Sequence, residues 1–367
     1  KALPFEGAGR ISEPAWSGYS APEMGQAKHV HRGSARKIKS MRGVIALTGA
    51  TGFIGRAIAR KLVKEGWHVR ALIRAPLRRA CLQGISIQWV HGTLEDIEHL
   101  DSLVGDADAV VHCAGAVRGI TDADFYPVNV EAVSRLAQIA ATRSPAPRFL
   151  LISSLAAREP NLSAYAASKR MGESALSQMT GGFAWTALRP PAVYGPGDRA
   201  MLPLFHLMRR GIAPLLGRDD ARFSLLYVED LAEAVIKWLG SESRESRVFE
   251  LDDGHPRGYS WCEVVETFER LRGKPAFRFH VSELPMKVAA KLNQIAASVI
   301  GYAPMFTPGK VREIRHPDWV CDNSMFCQAA NWTPTVCLEE GLRATLGLMA
   351  SGVARRQTLQ DGRIHDR

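Results

Sequence analysis

Residues 44–55 read Val44-Ile45-Ala46-Leu47-Thr48-Gly49-Ala50-Thr51-Gly52-Phe53-Ile54-Gly55, and this stretch decides the fold. Val44 to Leu47 form a short apolar run of the kind that makes a buried strand. Beyond the glycines, Ile54, Ile58, Leu62 and Val63 recur at helical spacing, so a helix is predicted over 53–65. Strand, glycine turn and helix together make a seat for a dinucleotide pyrophosphate. Glycines let the backbone come close to phosphate, and the unpaired N–H groups and dipole of a helix start favour negative charge. The spacing is G-x-x-G-x-x-G, one residue longer than the G-x-G-x-x-G fingerprint. A glycine cluster by itself also fits a plain tight turn; the flanking strand and helix carry the functional reading.

Working outward, apolar runs at 44–48, 67–73, 85–91, 109–113, 148–153 and 183–188 alternate with helical patterns at 53–65, 96–103, 123–142 and 163–179. Alternation of this kind implies right-handed crossovers and a parallel sheet covered on both faces. After Arg189 the texture changes to proline- and glycine-broken, shorter elements. Segments 229–239 and 248–251 are expected to rejoin the sheet, and helices are predicted near 259–272, 284–300 and 337–350. The fold class read from this pattern is α/β, a doubly wound parallel (Rossmann-like) sheet with a smaller C-terminal α/β substrate lobe. Its expected parts are a disordered basic leader (1–42), a dinucleotide domain (43–188, with 221–254 returning to it), a substrate lobe (189–220 and 255–352) and a flexible tail (353–367).

Composition limits the function classes. At 367 residues, 46% apolar and 23% charged, the chain suits a globular protein with two lobes. Its net charge of +10 points at first to nucleic acid. About +5 of it falls in residues 1–42 and about +2 in the tail from Gly352, leaving about +3 on the fold, so no nucleic-acid partner is expected. The six cysteines are scattered with no C-x-x-C pair, which suggests neither a disulfide framework nor zinc, and favours the cytoplasm. No run is long enough to span a membrane. Residues 1–40 lack a signal-peptide core, and Met41 reads as a natural start.

Two further groups carry chemistry. The second strand ends in Arg74, about twenty residues after the glycine turn, where an acid would accept the ribose hydroxyls of NAD and an arginine can clamp the 2′-phosphate of NADP. Arg78 and Arg79 follow it. NADP is therefore the expected cofactor, with NAD the alternative. Tyr165 and Lys169 stand at i, i+4 on an alanine-rich helix, where an ammonium can lower the pKa of a phenol and make it an acid–base catalyst. They lie one strand–helix unit after Ser153-Ser154, whose hydroxyls close a strand and would face a cleft. His91 and His112 read as packed or hydrogen-bonded groups rather than metal ligands, and no metal is expected. Leu284, Val288, Leu292, Ile295 and Val299 read as lobe core, with a membrane-touching face as the alternative.

These residues together resemble the extended (epimerase/dehydratase) branch of the short-chain dehydrogenase/reductase superfamily, from about Val44 to Leu348. Thr48 to Gly55 match its T-G-x-x-G-x-x-G turn. Tyr165 and Lys169 match its catalytic pair, and Ser154 its substrate-orienting hydroxyl. Arg189 to Asp198 match R-P-x-x-V-Y-G-P-G-D, and Tyr227 to Ala232 match Y-V-x-D-L-A. Asn129 matches the helix asparagine that supports the lysine through water. The resemblance implies cofactor contacts from Gly49, Thr51, Gly52, Phe53, Ile54, Gly55, Arg74, Ala114, Gly115, Tyr165, Lys169, Pro190 and Val193. It implies hydride transfer between nicotinamide and a carbonyl or alcohol carbon of a small organic substrate, with Ser154, Tyr165, Lys169 and Asn129 as the catalytic set, and is compatible with a homodimer through paired long helices. A sugar-nucleotide epimerase or dehydratase, and a non-catalytic dinucleotide sensor or assembly protein, are the alternatives. Two departures stand out. Gly92-Thr93-Leu94-Glu95-Asp96 lacks the branch's Gly-Asp-Leu, with Asp96 reading as a helix-start acid. Only eleven positions separate Ser154 from Tyr165, which shortens the wall that a sugar nucleotide needs.

Overall fold

Strand β1 (Arg42–Thr48) shows why the glycine turn is central. Ile45 and Leu47 point to one apolar layer and Ala46 to the opposite one, all fully buried. A strand buried on both faces must sit inside a sheet covered by helices. The computed structural model describes residues 42–75, 81–180, 183–242 and 244–348. The expected leader up to Met41, the expected tail and the pair Arg78 and Arg79 lie outside the described residues.

After β1 come α1 (Phe53–Lys64), β2 (Trp67–Ile73), β3 (Gln88–His91), α2 (Ile97–Val104) and β4 (Ala109–His112). They are followed by α3 (Asp122–Tyr126), a π-helical turn (Pro127–Glu131), α4 (Ala132–Ala141), β5 (Arg148–Ile152), α5 (Ala164–Ser177) and β6 (Trp185–Arg189). The helix expected over 123–142 runs without a break from Asp122 to Ala141, with the π turn inside it. Next are β7 (Ala192–Tyr194), α6 (Leu202–Arg209), β8 (Ile212–Leu215), β9 (Arg222–Phe223), β10 (Leu225–Tyr227), α7 (Val228–Gly240) and β11 (Arg247–Glu250). The chain goes on through α8 (Trp261–Arg272), β12 (Phe277–His280), α9 (Glu283–Ile300), α10 (Pro308–Ile314), β13 (Asp318–Trp319), α11 (Ser324–Ala330) and α12 (Leu338–Thr345).

The main sheet has seven strands in the order β3-β2-β1-β4-β5-β6-β11, all parallel. The order reverses between β1 and β4, so this is a doubly wound Rossmann-like sheet, and its ligand crevice opens at the carboxyl ends of those strands. Ile58 and Leu62 of α1, Leu231 and Val235 of α7 and Phe326 and Trp332 near α11 form one apolar layer. Leu100 and Leu103 of α2, Val133 and Leu136 of α4 and Leu176 of α5 form the other. Each such aliphatic side chain contributes about 1.5–3 kcal/mol on burial. The C-terminal elements add a third cluster, around Tyr194, Phe205, Phe268 and Leu342, and a small fourth one of Met286, Ala290 and Val311.

The reading of α9 needs correction. Leu284, Val288, Leu292, Ile295 and Val299 are not lobe core: all five are exposed, and the helix is held instead by Met286, Ala290 and Ala297. The 3.6-residue period was real, but an apolar stripe says only that a face is apolar, not what covers it. Among the described residues no helix is long and apolar enough to cross a membrane.

Candidate active site

The glycine turn is closed by backbone contact. Gly52 N–H donates to the Gly49 carbonyl at 2.9 Å. Gly49 holds φ at +73°, and a Cβ there would lie 2.6 Å from the Ala114 nitrogen. A Cβ on Gly55 would lie 2.1 Å from the Gly49 oxygen. Only glycine fits at either position, so the turn packs directly on the end of β4 while α1 starts from Gly52. Thr48 locks the same junction: its hydroxyl accepts from the Ala114 N–H at 3.2 Å and pairs with His112 Nδ1 at 2.9 Å. Burial, helped by the charge of Lys169, pushes His112 down to about 3, so the ring is neutral.

From Ala114 the chain runs into the acid–base group. A Cβ on Gly115 would sit 3.4 Å from Asn129 Oδ1 and 3.6 Å from Lys169 Nζ, which places Gly115, Asn129 and Lys169 together. Asn129 lies in the π turn, a local widening that aims its side chain out of the helical ladder. Its Oδ1 accepts from Ala116 N–H and its Nδ2 donates to Ala116 O and to Ser168 Oγ, each at 2.9 Å. The side chain thus ties the loop after β4 to α5.

Lys169 is buried, and its Nζ donates to the Ile152 carbonyl at 2.8 Å. Burial pushes the ammonium down to about 8, against the pull of Cys113 and Glu173. Ser154, two residues past Ile152, accepts from Ala156 N–H at 3.2 Å and is a hydrogen-bonding neighbour of Tyr165. Tyr165 itself is half-buried, packed edge-on to Phe125 at 6.1 Å. Its phenol is pushed up to about 12 by burial, with Ser154 pulling it down and Glu313 pushing it up. The sequence suggested an ammonium lowering the phenol; in the folded chain desolvation outweighs every stabilising neighbour, and Lys169 is turned towards β5. Cys113, beside Lys169, is also raised by burial to about 12, which excludes a thiolate there.

Other expected positions are near but not all in this cluster. Pro190 accepts from Leu155 N–H at 2.9 Å, joining the Ser154 segment to the proline loop, and Val193 lies on β7 opposite Leu226. A Cβ on Gly197 of that loop would be 2.9 Å from the Arg56 guanidinium of α1, so loop and glycine helix adjoin. Thr51, Phe53 and Ile54 form the bend and first helical turn. Arg74 stands exposed at the end of β2, and its charge adds to the Thr93 hydrogen bond that lowers Glu95. Asp96 caps α2, accepting from His99 N–H at 3.3 Å.

Two carboxylates escaped the sequence reading. Glu173 is one turn beyond Lys169 on the same face. It takes both Arg189 Nε (2.9 Å) and Nη2 (2.6 Å) and also Ser153 Oγ (2.5 Å), all buried. The i, i+4, i+8 series Tyr165, Lys169, Glu173 was a signal available for it. Glu313 has no such signal. It arrives from α10, 150 residues away, to bond Ser163 Oγ, and Ser163 in turn caps α5 through Ala166 N–H at 3.0 Å. Among the described residues no group of three His, Cys, Asp or Glu could hold a metal ion.

Residues 45–251 match the NAD dependent epimerase/dehydratase family. The chain belongs to that family. It is 35% identical to a ceramide reductase of Caulobacter vibrioides over 76% of this chain and 86% of that protein. It is 28% identical to a 2-alkyl-3-oxoalkanoate reductase of Stenotrophomonas maltophilia over 52% and 63%, and 23% identical to a UDP-glucose 4-epimerase of Vibrio cholerae over 82% and 94%. Among solved structures, a UDP-glucuronic acid 4-epimerase of Bacillus cereus in complex with NAD superposes with a TM-score of 0.64 at 20% identity, over 83% of this chain and 97% of that one. This member is an NAD(P)-dependent enzyme of the extended short-chain dehydrogenase/reductase type, acting on hydride between nicotinamide and a carbonyl or alcohol carbon.

Proposed function

We propose that this chain is an NADPH-dependent reductase of a ketone on a long-chain lipid of the ceramide kind. The likeness to the Caulobacter reductase over most of both chains supports the substrate class. The direction is drawn from the reductases among its relatives, and the observation that carries the chemistry is the Tyr165 phenol placed beside Ser154. At neutral pH that phenol holds its proton and so has one to give to a carbonyl oxygen.

The glycine cradle fits a dinucleotide: Gly49 and Gly55 leave no room for side chains and Gly52 leaves little, and the α1 N–H groups open onto the same turn. Gly49, Thr51, Gly52, Phe53, Ile54 and Gly55 would take the pyrophosphate, Arg74 the 2′-phosphate, Ala114, Gly115 and Lys169 the ribose end, and Pro190 and Val193 the nicotinamide side. A nicotinamide dinucleotide bound there supplies the hydride. As the substrate carbonyl becomes an alcohol, Tyr165 donates its phenolic proton to the oxygen and Ser154 hydrogen-bonds that oxygen. Lys169, one helical turn from Tyr165 and charged below about pH 8, would supply positive charge for the phenolate left behind. Asn129 positions the loop carrying Gly115 through its pair of bonds to Ala116. Segments 189–220 and 255–348 supply the substrate lobe, and the scattered cysteines suit the cytoplasm.

The test is cofactor oxidation by the full chain with a long-chain ketone in mixed micelles. NADPH consumption that disappears in Tyr165→Phe, with dinucleotide affinity kept within a few-fold, is the expected result. Turnover of a UDP-sugar without added cofactor would favour the epimerase reading, which the Vibrio relative supports. Dinucleotide binding with no turnover of either kind leaves a sensor or assembly role.

A further inference from the structure

Helix α9 carries an apolar face that none of the described residues covers. Leu284, Val288, Leu292, Ile295 and Val299 lie along one side, and Leu292 and Val299 are 62% and 82% exposed. The opposite side is fastened to the protein: Met286 and Ala290 pack on Val311, and Asn293 Nδ2 donates to Phe306 O at 2.8 Å. The stripe is therefore a fixed surface feature and not a frayed segment.

We propose that this face docks the enzyme on an anionic lipid bilayer, α9 lying in the plane of the interface. Three observations favour a bilayer over a second copy. Lys287 and Lys291 flank the stripe, both exposed, and the only acid on the helix is Glu283, already shared by Lys287 at 2.6 Å and Arg315 at 3.8 Å. Two such helices packed on each other would bring lysines together with no free acid to meet them, whereas lipid phosphates would meet them directly. Second, leucine, isoleucine and valine on one face with lysines at its border form the pattern of an interfacial helix. Third, the face ends beside the cleft. Just past α9, the Pro304 carbonyl accepts from Gly119 N–H at 3.1 Å, and the 115–120 loop begins at Gly115 next to Lys169. Val117 on that loop is an exposed apolar side chain as well. A lipid substrate could pass from bilayer to cleft without crossing water.

This goes beyond the reductase reading and is tested separately from it. The full chain is floated with phosphatidylcholine vesicles containing or lacking phosphatidylglycerol, at low and high salt, and its mass in solution is measured. Expected are binding to the anionic vesicles that weakens with salt, a drop of about ten-fold or more in Leu292→Glu/Ile295→Glu, and a weaker salt response in Lys287→Gln/Lys291→Gln. Circular dichroism and NADPH-dependent reduction of a short, water-soluble ketone should be unchanged in both variants. No flotation at low salt, or flotation indifferent to these substitutions, overturns the proposal. So does a dimer that Leu292→Glu/Ile295→Glu splits, which would assign the face to a second copy. Failure to reduce any ketone while flotation persists would remove the reductase reading and leave the docking in place.

Discussion

Lys169 Nζ is bonded to the main-chain oxygen of Ile152, the last residue of β5, and Ser154 follows two positions later. One strand end thus sets both the ammonium and the hydroxyl proposed to meet the substrate. Because Lys169 is lowered to about 8, ketone reduction should hold below about pH 8 and decline above it, as the charge that stabilises the phenolate is lost. Stability should move the opposite way. Between about 8 and 10.5 the unfolded chain binds the proton more tightly than the folded one, so folding gains as pH rises through that window. Rate profiles and melting curves, compared with Lys169→Met, check both signs; a parallel rise or fall of the two would contradict the assignment.

At the cradle, Gly52→Ala adds a methyl only 3.2 Å from the Gly49 oxygen, on a residue that opens α1. The fold should tolerate it, while dinucleotide affinity falls by roughly ten-fold or more because the backbone N–H groups can no longer be approached closely. Titration by protein fluorescence measures this.

Coenzyme choice should rest on Arg74. Arg74→Ser is expected to weaken NADPH by roughly ten-fold or more and leave NADH almost unchanged. Equal losses for both coenzymes would mean that the guanidinium does not meet the 2′-phosphate.

The buried Glu173–Arg189 pair should be costly to break. Glu173→Ala strands a guanidinium and the Ser153 hydroxyl inside the protein, and about 3–5 kcal/mol of stability should be lost. Urea unfolding gives the number. A loss under 1 kcal/mol would mean that water reaches the pair.

Much of the sheet was legible because a parallel sheet demands unbroken apolar runs, and Val44–Leu47 or Phe149–Ile152 can scarcely be anything else. The Tyr165–Lys169 pair was legible because both members lie on one helix. What escaped lies in contacts of long range or short length. Strands of two to four residues such as β9, β10 and β13 carry no period to detect. The phenol's upward shift comes from packing, which the spacing of Tyr165 and Lys169 does not encode. Glu313 reaches Ser163 across 150 positions. The α9 stripe is plain in the sequence but what lies against it is not, because a helix pattern looks the same whether protein or something else covers it.

Asp230, near the start of α7, accepts from Thr335 Oγ1 at 2.8 Å and from the Val336 N–H at 2.9 Å, just as Glu313 accepts from Ser163 Oγ. The stretch that matches the family therefore ends before the parts that brace it. A gene fragment stopping after Asp252 would encode the glycine turn, Ser154, Tyr165 and Lys169 in full. It would nonetheless leave α5 without the carboxylate at its cap and α7 with a buried acid stripped of its donors. Such a fragment inherits the vocabulary of the enzyme without its grammar.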